Sequence, residues 1–246
     1  MPNETLTLKS LEMLFEAKHD ALPTGFNKIR YLQNSKAYLA EIEDINNYKA
    51  EDIAQQLFKG AVLGLDFLNK ECHVIFDKGK VGFQTDYKGE MKLAKKHSVR
   101  PLLDIFAKIV RAGDEFRELV DEGKPKVHFN PLPFNNSEIV GSFAVALFAD
   151  GGMIYETMSA EEIELVRKHY GKKRDNDTWD KSKGELSKRT VLRRLCKMID
   201  IDFDAEQRLA FEDGSEFEFN KEPRPVQVNP LNESESEVIT NEANEG

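Results

Sequence analysis

The spacing of apolar residues changes from a helical to a strand-like pattern and back again along this chain. This order of patterns constrains the fold more than any other feature. Apolar residues recur every four positions over residues 50–65, as they do on one face of a helix. In the middle of the chain the apolar runs are short and are separated by turn residues such as Lys78-Gly79 and Asp150-Gly151-Gly152, which is typical of β-hairpins. Helical spacing then returns. This order predicts an α+β fold: N-terminal helices, a small antiparallel β-sheet with hairpins packed by helices, a basic last helix and a disordered acidic tail.

The expected elements follow from local patterns of apolar, turn and capping residues. Ser159 and Glu162 form a capping box that begins a helix. Leu103, Ile105, Ala107 and Ile109 alternate and are expected on one face of a long strand. The predicted helices cover 9–19, 36–44, 50–65, 87–97, 160–170 and 181–199. The predicted strands cover 73–77, 81–85, a long segment from Leu103, 126–129, 138–148 and 153–157.

Charge is distributed unevenly, and the total conceals two basic stretches. The whole chain has a net charge of −9, which alone argues against nucleic-acid binding. Residues 200–246, however, hold fourteen acidic and three basic residues. Residues 70–111 hold ten basic and five acidic residues, and residues 171–199 hold ten and four. The body of the chain therefore carries cationic surface, and the end resembles an acidic interaction tail.

Composition also limits the compartment and the class of protein. Two cysteines, Cys72 and Cys196, are too few for a disulfide framework or a four-cysteine zinc site. No apolar run approaches the roughly 18 residues that a membrane span requires, and the first residues do not resemble a secretory signal. We therefore expect a soluble intracellular protein that uses no cofactor and contacts no membrane.

The phosphate-binding loop of nucleotide hydrolases and the Gly-x-Ser-x-Gly motif of serine hydrolases are both absent from the sequence. Gly79-Lys80 is followed by valine, so no phosphate-cradling Gly-x4-Gly-Lys-Ser/Thr loop is present. Asp77, Glu90 and Lys92 loosely resemble the metal-binding set of DNA nucleases. Because residues i and i+2 of a helix point about 200° apart, the favoured interpretation of Glu90 and Lys92 is a solvated helix face.

The helix expected over 181–199 is the most informative segment. Arg189, Arg193 and Lys197 share one stripe, Arg194 flanks it, and Lys188 falls nearer the apolar side. On charge alone, a solvated face is favoured over a row of phosphate contacts. Trp179 precedes the helix and either anchors it to the core or stacks on a base.

Seven short motifs follow one another over about residues 60–200. They are Leu63-Gly64-Leu65-Asp66, Tyr87 to Lys96, Val110 to Phe116, His128-Phe129-Asn130-Pro131, Val140 to Gly152, Met158 to Glu164, and Trp179 with Glu185 to Leu195. In order and spacing they resemble the RecT family of phage recombinases. Asp86 departs from that pattern, since the family usually has glycine before the tyrosine.

The resemblance implies a function that needs no catalytic residues. RecT-like proteins are single-strand annealing proteins that bind single-stranded DNA, assemble into rings or helical filaments and pair complementary strands without ATP. They usually act beside a phage 5′→3′ exonuclease, here in the cytoplasm of a bacterial host cell. The expected domains are a helical N-terminal region for oligomerisation (1–48), an annealing and DNA-binding core (49–200) and a mostly disordered acidic tail (201–246).

One tyrosine and nine basic residues in the matching blocks are the candidate DNA contacts. Tyr87 either stacks on a base or packs on the sheet. The candidate phosphate contacts are Lys88, Lys92, Lys95, Lys96, Arg111, Lys188, Arg189, Arg193 and Arg194. Arg193 and Arg194 are expected near the polar side of their helix, where their removal would cost little core packing. A metal-dependent nuclease and a passive single-strand-binding protein remain the alternative functions.

Overall fold

The computed structural model describes residues 2–77, 79–170 and 182–216. Across these residues the chain forms seven α-helices and seven β-strands, and the α+β prediction is confirmed. The helices are α1 (Asn3–Ala17), α2 (Lys28–Ala40), α3 (Ala50–Leu63), α4 (Tyr87–His97), α5 (Ala160–Tyr170), α6 (Lys183–Cys196) and α7 (Ala205–Glu216). The strands are β1 (Cys72–Asp77), β2 (Lys80–Thr85), β3 (Leu102–Arg111), β4 (Glu115–Asp121), β5 (Lys124–Asn130), β6 (Ile139–Phe148) and β7 (Met153–Ser159).

The first hydrophobic core lies among the N-terminal helices. α1, α2 and α3 pack together, with Leu11, Phe15 and Leu57 fully buried between them. The antiparallel hairpin β1–β2 and helix α7 cover α3. This layer is therefore closed by a helix that comes from the opposite end of the described chain.

A three-stranded antiparallel sheet, in the order β3-β6-β7, forms the centre of the molecule. One face packs against α4, α5 and α6 around Ala144, Ile163 and Leu195. The other face is covered by aromatic side chains of the β4–β5 hairpin, which pack around Phe143. Because both faces are covered, β6 is buried along almost its whole length.

α4 joins the two halves. Leu93 belongs to the N-terminal core, and the next residue, Ala94, belongs to the core between sheet and helices. Beyond α4, Ser98 forms an isolated β-bridge with Ile201. None of the described helices is both long and apolar enough to cross a membrane.

Elements with local signals appear where they were expected. α4 has the predicted bounds, and α5 begins with the predicted capping box, in which Ser159 and Glu162 exchange hydrogen bonds of 2.8 and 3.1 Å. The hairpins β1–β2 and β6–β7 are also confirmed, to within two residues at each strand end. The sequence-based bounds of α1, α3 and α6 differ from the structure by up to six residues.

Three expectations about the bounds, number and facing of the elements were wrong, and helix α7, within residues 201–246, was not predicted. α2 begins at Lys28 and not near residue 36, because Asn27 caps it by accepting a hydrogen bond from the Arg30 amide at 2.9 Å. β4 was missed, since its charged sequence shows no buried alternation and its strand conformation comes from pairing with β5. Leu103 does not share a face with Ile105 and is exposed, because a register shift interrupts the pairing between Leu102 and Asp104.

Candidate nucleic-acid interface

Two helices, α4 and α6, carry nine of the ten candidate DNA contacts, and the two helices pack against each other. Asp86 begins α4 as its N-cap and accepts a hydrogen bond from the Lys88 amide. Burial raises the pKa of Asp86, but the His73 imidazole, whose Nε2 lies 3.8 Å from Oδ2, and the hydrogen bond from that amide outweigh it and hold the pKa below its ordinary value. Because φ of Asp86 is −93°, this position does not require the glycine that is usual in the resembled family.

A cationic cluster forms where the first turn of α4 meets α6. The Arg189 guanidinium lies over the Tyr87 ring, with its Cζ 5.1 Å from the ring centroid. Lys88, one residue further along α4, is exposed and forms no ion pair with any described residue. The structure therefore places Arg189 beside Tyr87, although the two lie 102 positions apart in the sequence. Lys88 joins this cluster as the residue that follows Tyr87 on α4.

Most of the remaining lysines and arginines form surface ion pairs. Lys92 binds Glu71 at 2.7 Å and the Gly64 carbonyl at 2.9 Å, and Lys95 binds Asp104 at 3.3 Å. Arg194 binds Glu156 at 2.9 Å, and Lys188 binds Glu185 at 2.6 Å. The amide of Ile105 and the ammonium of Lys95 lower the pKa of Asp104. The carboxylates of Asp104 and Glu185 are more than half exposed, and pairs of this kind contribute about 0–1 kcal/mol each, so a phosphate can displace these two carboxylates.

Arg193 has a different role from its neighbours on α6. Its side chain is only 18% exposed, and its Nη2 lies 3.1 Å from Glu90 Oε1 and 3.1 Å from the Thr85 carbonyl oxygen. The expectation of an exposed stripe through Arg189, Arg193 and Lys197 was therefore wrong at its middle position. Arg193 joins α6 to α4 and β2.

Glu90 was also misassigned by sequence pattern, since it is 1% exposed and not on a solvated face. Its Oε1 accepts a hydrogen bond from Thr85 Oγ1 at 2.9 Å as well as from Arg193. The signal was present in the spacing, because Leu93 and Ala94 follow three and four residues later and are buried. A carboxylate on the apolar face of a helix predicts a buried cationic partner.

The nuclease-like set is not assembled by α4. Glu90 binds Thr85 and Arg193, whereas Lys92 binds Glu71 and the Gly64 carbonyl. Within the ranges that the structure describes, no group of three or more histidine, cysteine, aspartate or glutamate side chains is arranged to hold a metal ion.

Arg111 and Lys96 lie apart from the cluster. Lys96 is exposed on the last turn of α4, near Gly64. Arg111 ends β3, and its guanidinium donates to the Ser137 carbonyl. The first turn of α6 covers the same end of the sheet, since a Cβ built on Gly184 would lie 3.5 Å from Ile109 and 3.6 Å from Ile139. Trp179 and the basic loop expected over 171–178 lie outside the described residues.

Comparison with known proteins extends the matching region on both sides of the seven motifs. The model of the RecT family matches residues 30–226. The chain is also similar to Protein RecT of Escherichia coli (strain K12), with 28% identity over 232 residues. That alignment covers 90% of this chain and 80% of the relative.

Proposed function

This chain belongs to the RecT family of single-strand annealing recombination proteins, and we propose that it binds single-stranded DNA along the face shared by α4 and α6. In this proposal it works as a homo-oligomer, a ring or a helical filament, and pairs complementary strands without ATP. Its setting is phage recombination in the cytoplasm of a bacterial host, beside a phage exonuclease. The single observation that carries the proposal is the cluster of Tyr87, Lys88 and Arg189 on two packed helices.

Annealing by such a surface needs electrostatics but no catalytic group. Two single strands repel each other through their phosphates, and lysine and arginine side chains reduce that repulsion when they displace the condensed counterions. A surface that holds the phosphates leaves the base edges free to pair. The free energy of duplex formation then drives the reaction, so nucleotide hydrolysis is not required.

An annealing assay tests this proposal against both alternatives. Two labelled complementary strands are mixed with the protein in buffer that contains Mg²⁺ and no nucleotide. We expect duplex to form faster than without protein, with both labels intact. Loss of labelled strand would indicate a nuclease, and binding without faster pairing would indicate a passive single-strand-binding protein.

Salt dependence tests whether the proposed face binds phosphates. If each subunit contacts about four phosphates, log K should fall with log salt at a slope of roughly −3 per subunit. Replacing Lys88 and Arg189 with glutamine should make the slope shallower by about 1.4, since each lost contact removes about 0.7. Lys36→Gln with Lys49→Gln is the matched control, because it removes two cations from the N-terminal helical layer. An equal change in both double variants would place the binding face elsewhere.

A further inference from the structure

The loop between β5 and β6 presents an aromatic side chain that nothing in the described structure covers. Phe134 is 98% exposed, and Leu132, two residues earlier, is 52% exposed. Partly exposed phenylalanine side chains are common in folded proteins, but an almost completely exposed one is uncommon. Phe134 also lies outside the seven motifs and outside the candidate contacts on α4 and α6.

The backbone at Phe134 is strained. Its φ is +54°, a region that bulky residues rarely adopt. The Asn135 amide donates to the Leu132 carbonyl at 3.3 Å and closes a turn, with Pro133 in the second position and Phe134 in the third. A turn with proline followed by a positive φ is of type II, and its third position normally holds glycine or asparagine. The chain thus has an aromatic residue where the turn favours a residue without a bulky side chain.

Asp114 holds this turn in place from the neighbouring β3–β4 connection. Its Oδ1 accepts hydrogen bonds from Asn135 Nδ2 at 2.8 Å and from the Leu132 amide at 3.0 Å. Its Oδ2 accepts from the Arg111 amide at 2.8 Å. These hydrogen bonds, that from Asn135 above all, lower the pKa of Asp114. These hydrogen bonds hold Phe134 in its strained conformation. Strained residues held by surrounding contacts are often found at functional positions.

The loop lies beside a candidate phosphate contact. Arg111 donates to the Ser137 carbonyl, so its guanidinium is attached to the same loop as Phe134. The first turn of α6 covers this end of the sheet through Gly184. The exposed Phe134 ring is suited to contact the flat base of a nucleotide. The Arg111 guanidinium, which is hydrogen-bonded to the same loop, is suited to contact its charged phosphate.

We propose that Phe134 stacks on an unpaired base of bound single-stranded DNA, with Arg111 beside it as a phosphate contact. This inference rests on the proposed function, and it adds a base contact to a surface otherwise built for phosphates. Stacking on an aromatic ring is tolerant of sequence, because every base has a flat face. A protein partner fits less well, since a phenylalanine offers about 150–250 Å² and a stable protein interface requires roughly 800 Å² per partner.

The primary test is binding of a fluorescent thirty-residue oligothymidine to the full chain. We expect Phe134→Ala to weaken binding roughly 5- to 150-fold, the range that corresponds to one stacked base, and Phe134→Trp to retain it. The slope of log K against log salt should not change, because no phosphate contact is lost. Val120→Ala, at another exposed apolar residue, should bind as the wild type does.

Two further measurements distinguish a stacked base from a phosphate contact and from misfolding. On an oligonucleotide whose sugars carry no bases, the wild type and Phe134→Ala should bind equally. Phe134→Gly should weaken oligothymidine binding as alanine does and at the same time raise the thermal unfolding temperature, since glycine accepts a positive φ. That combination excludes misfolding as the cause of weaker binding.

The inference fails if Phe134→Ala binds oligothymidine as tightly as the wild type, or if it loses equal affinity for the base-free strand. It also fails if the variant changes the oligomeric state without DNA, which would make the loop a contact between copies. A wild-type protein that does not bind single-stranded DNA would instead overturn the proposed function, and this inference with it.

Discussion

Arg193 and Glu90 show how one buried residue pair changes the interpretation of a basic helix. Glu90 is almost completely buried and accepts hydrogen bonds from both Arg193 and Thr85. A buried carboxylate that loses its cationic partner leaves an uncompensated charge in the interior. The adjacent Arg194 is nearly half exposed and binds Glu156 at the surface. Two neighbouring arginines therefore have different consequences for stability.

Arg193→Ala should lower the free energy of unfolding by about 3 kcal/mol, because it strands the Glu90 carboxylate. Arg194→Ala should lower it by only about 1 kcal/mol, because Arg194 is nearly half exposed and Glu156 is only partly buried. Chemical denaturation of the two single variants measures the difference. The expectation that removing both side chains would cost little core packing does not hold for Arg193, which is 18% exposed and binds the buried Glu90. An annealing defect in the double variant would therefore not identify a DNA contact. Equal stabilities of the two single variants would contradict the buried pair.

At the scale of elements, α4 is positioned by a close approach of backbones. A Cβ built on Gly89 would lie 2.1 Å from the Glu71 carbonyl oxygen, which already accepts a hydrogen bond from the Asp86 amide. Only glycine lets the first turn of α4 come this close to the chain before β1. Gly89 belongs to the Tyr87 to Lys96 motif. At this position the family resemblance therefore reflects the packing of the helix that carries the candidate contacts, and not a contact itself.

Gly89→Ala should destabilise the protein by about 3 kcal/mol or more, because the clash is with backbone and cannot be relieved by a rotamer change. Gly184→Ala, in α6, is the matched control. A Cβ there meets Ile109 and Ile139 at ordinary contact distance, and alanine should stabilise the helix by up to about 1 kcal/mol. The thermal unfolding temperatures of both variants, compared with that of the wild type, test this prediction. A Gly89→Ala protein as stable as the wild type would show that α4 shifts freely.

At the scale of the whole molecule, the last described helix returns the chain to the N-terminal layer and to strand β2. α7 packs on α3 and on β2. A Cβ built on its Gly214 would lie 2.8 Å from the Phe83 ring and 3.4 Å from Thr85. Thr85 is the residue whose carbonyl accepts a hydrogen bond from Arg193. Residues 221–246, which hold six acidic and two basic residues, follow this helix in the sequence.

Deleting residues 221–246 should leave folding and annealing of purified strands intact and should tighten DNA binding modestly at low salt. A tethered anionic segment has a high local concentration at a nearby cationic face and competes there with phosphate. The gain should fade as salt rises, since charges are screened within about 10 Å at 0.1 M. Binding titrations of both proteins across a salt series test this.

Weaker DNA binding after the deletion would contradict shielding and would indicate that the tail supports assembly. Normal annealing in vitro with failed recombination in the cell would instead favour a tail that docks on a partner protein. Circular dichroism of the shortened protein is the control for folding.

The sequence by itself determined the elements whose signals are local. Helix α4, the capping box of α5 and the β6–β7 hairpin depend on residues within a few positions of each end, and all three were predicted. The order of these elements was enough to predict the α+β class. The exposed members of the α4–α6 cluster, Lys88 and Arg189, were likewise visible from helical spacing and charge.

Only the tertiary structure decided which charges are buried, because burial depends on contacts between residues far apart in the chain. Arg193 meets Glu90 across 103 positions, and no helical pattern in either segment identifies that partner. β4 exists because β5 pairs with it, and Leu103 is exposed because a register shift turns the strand. The strained turn at Phe134 is set by Asp114, twenty residues earlier. Local sequence determines what a segment prefers, and packing determines which of its faces meets water.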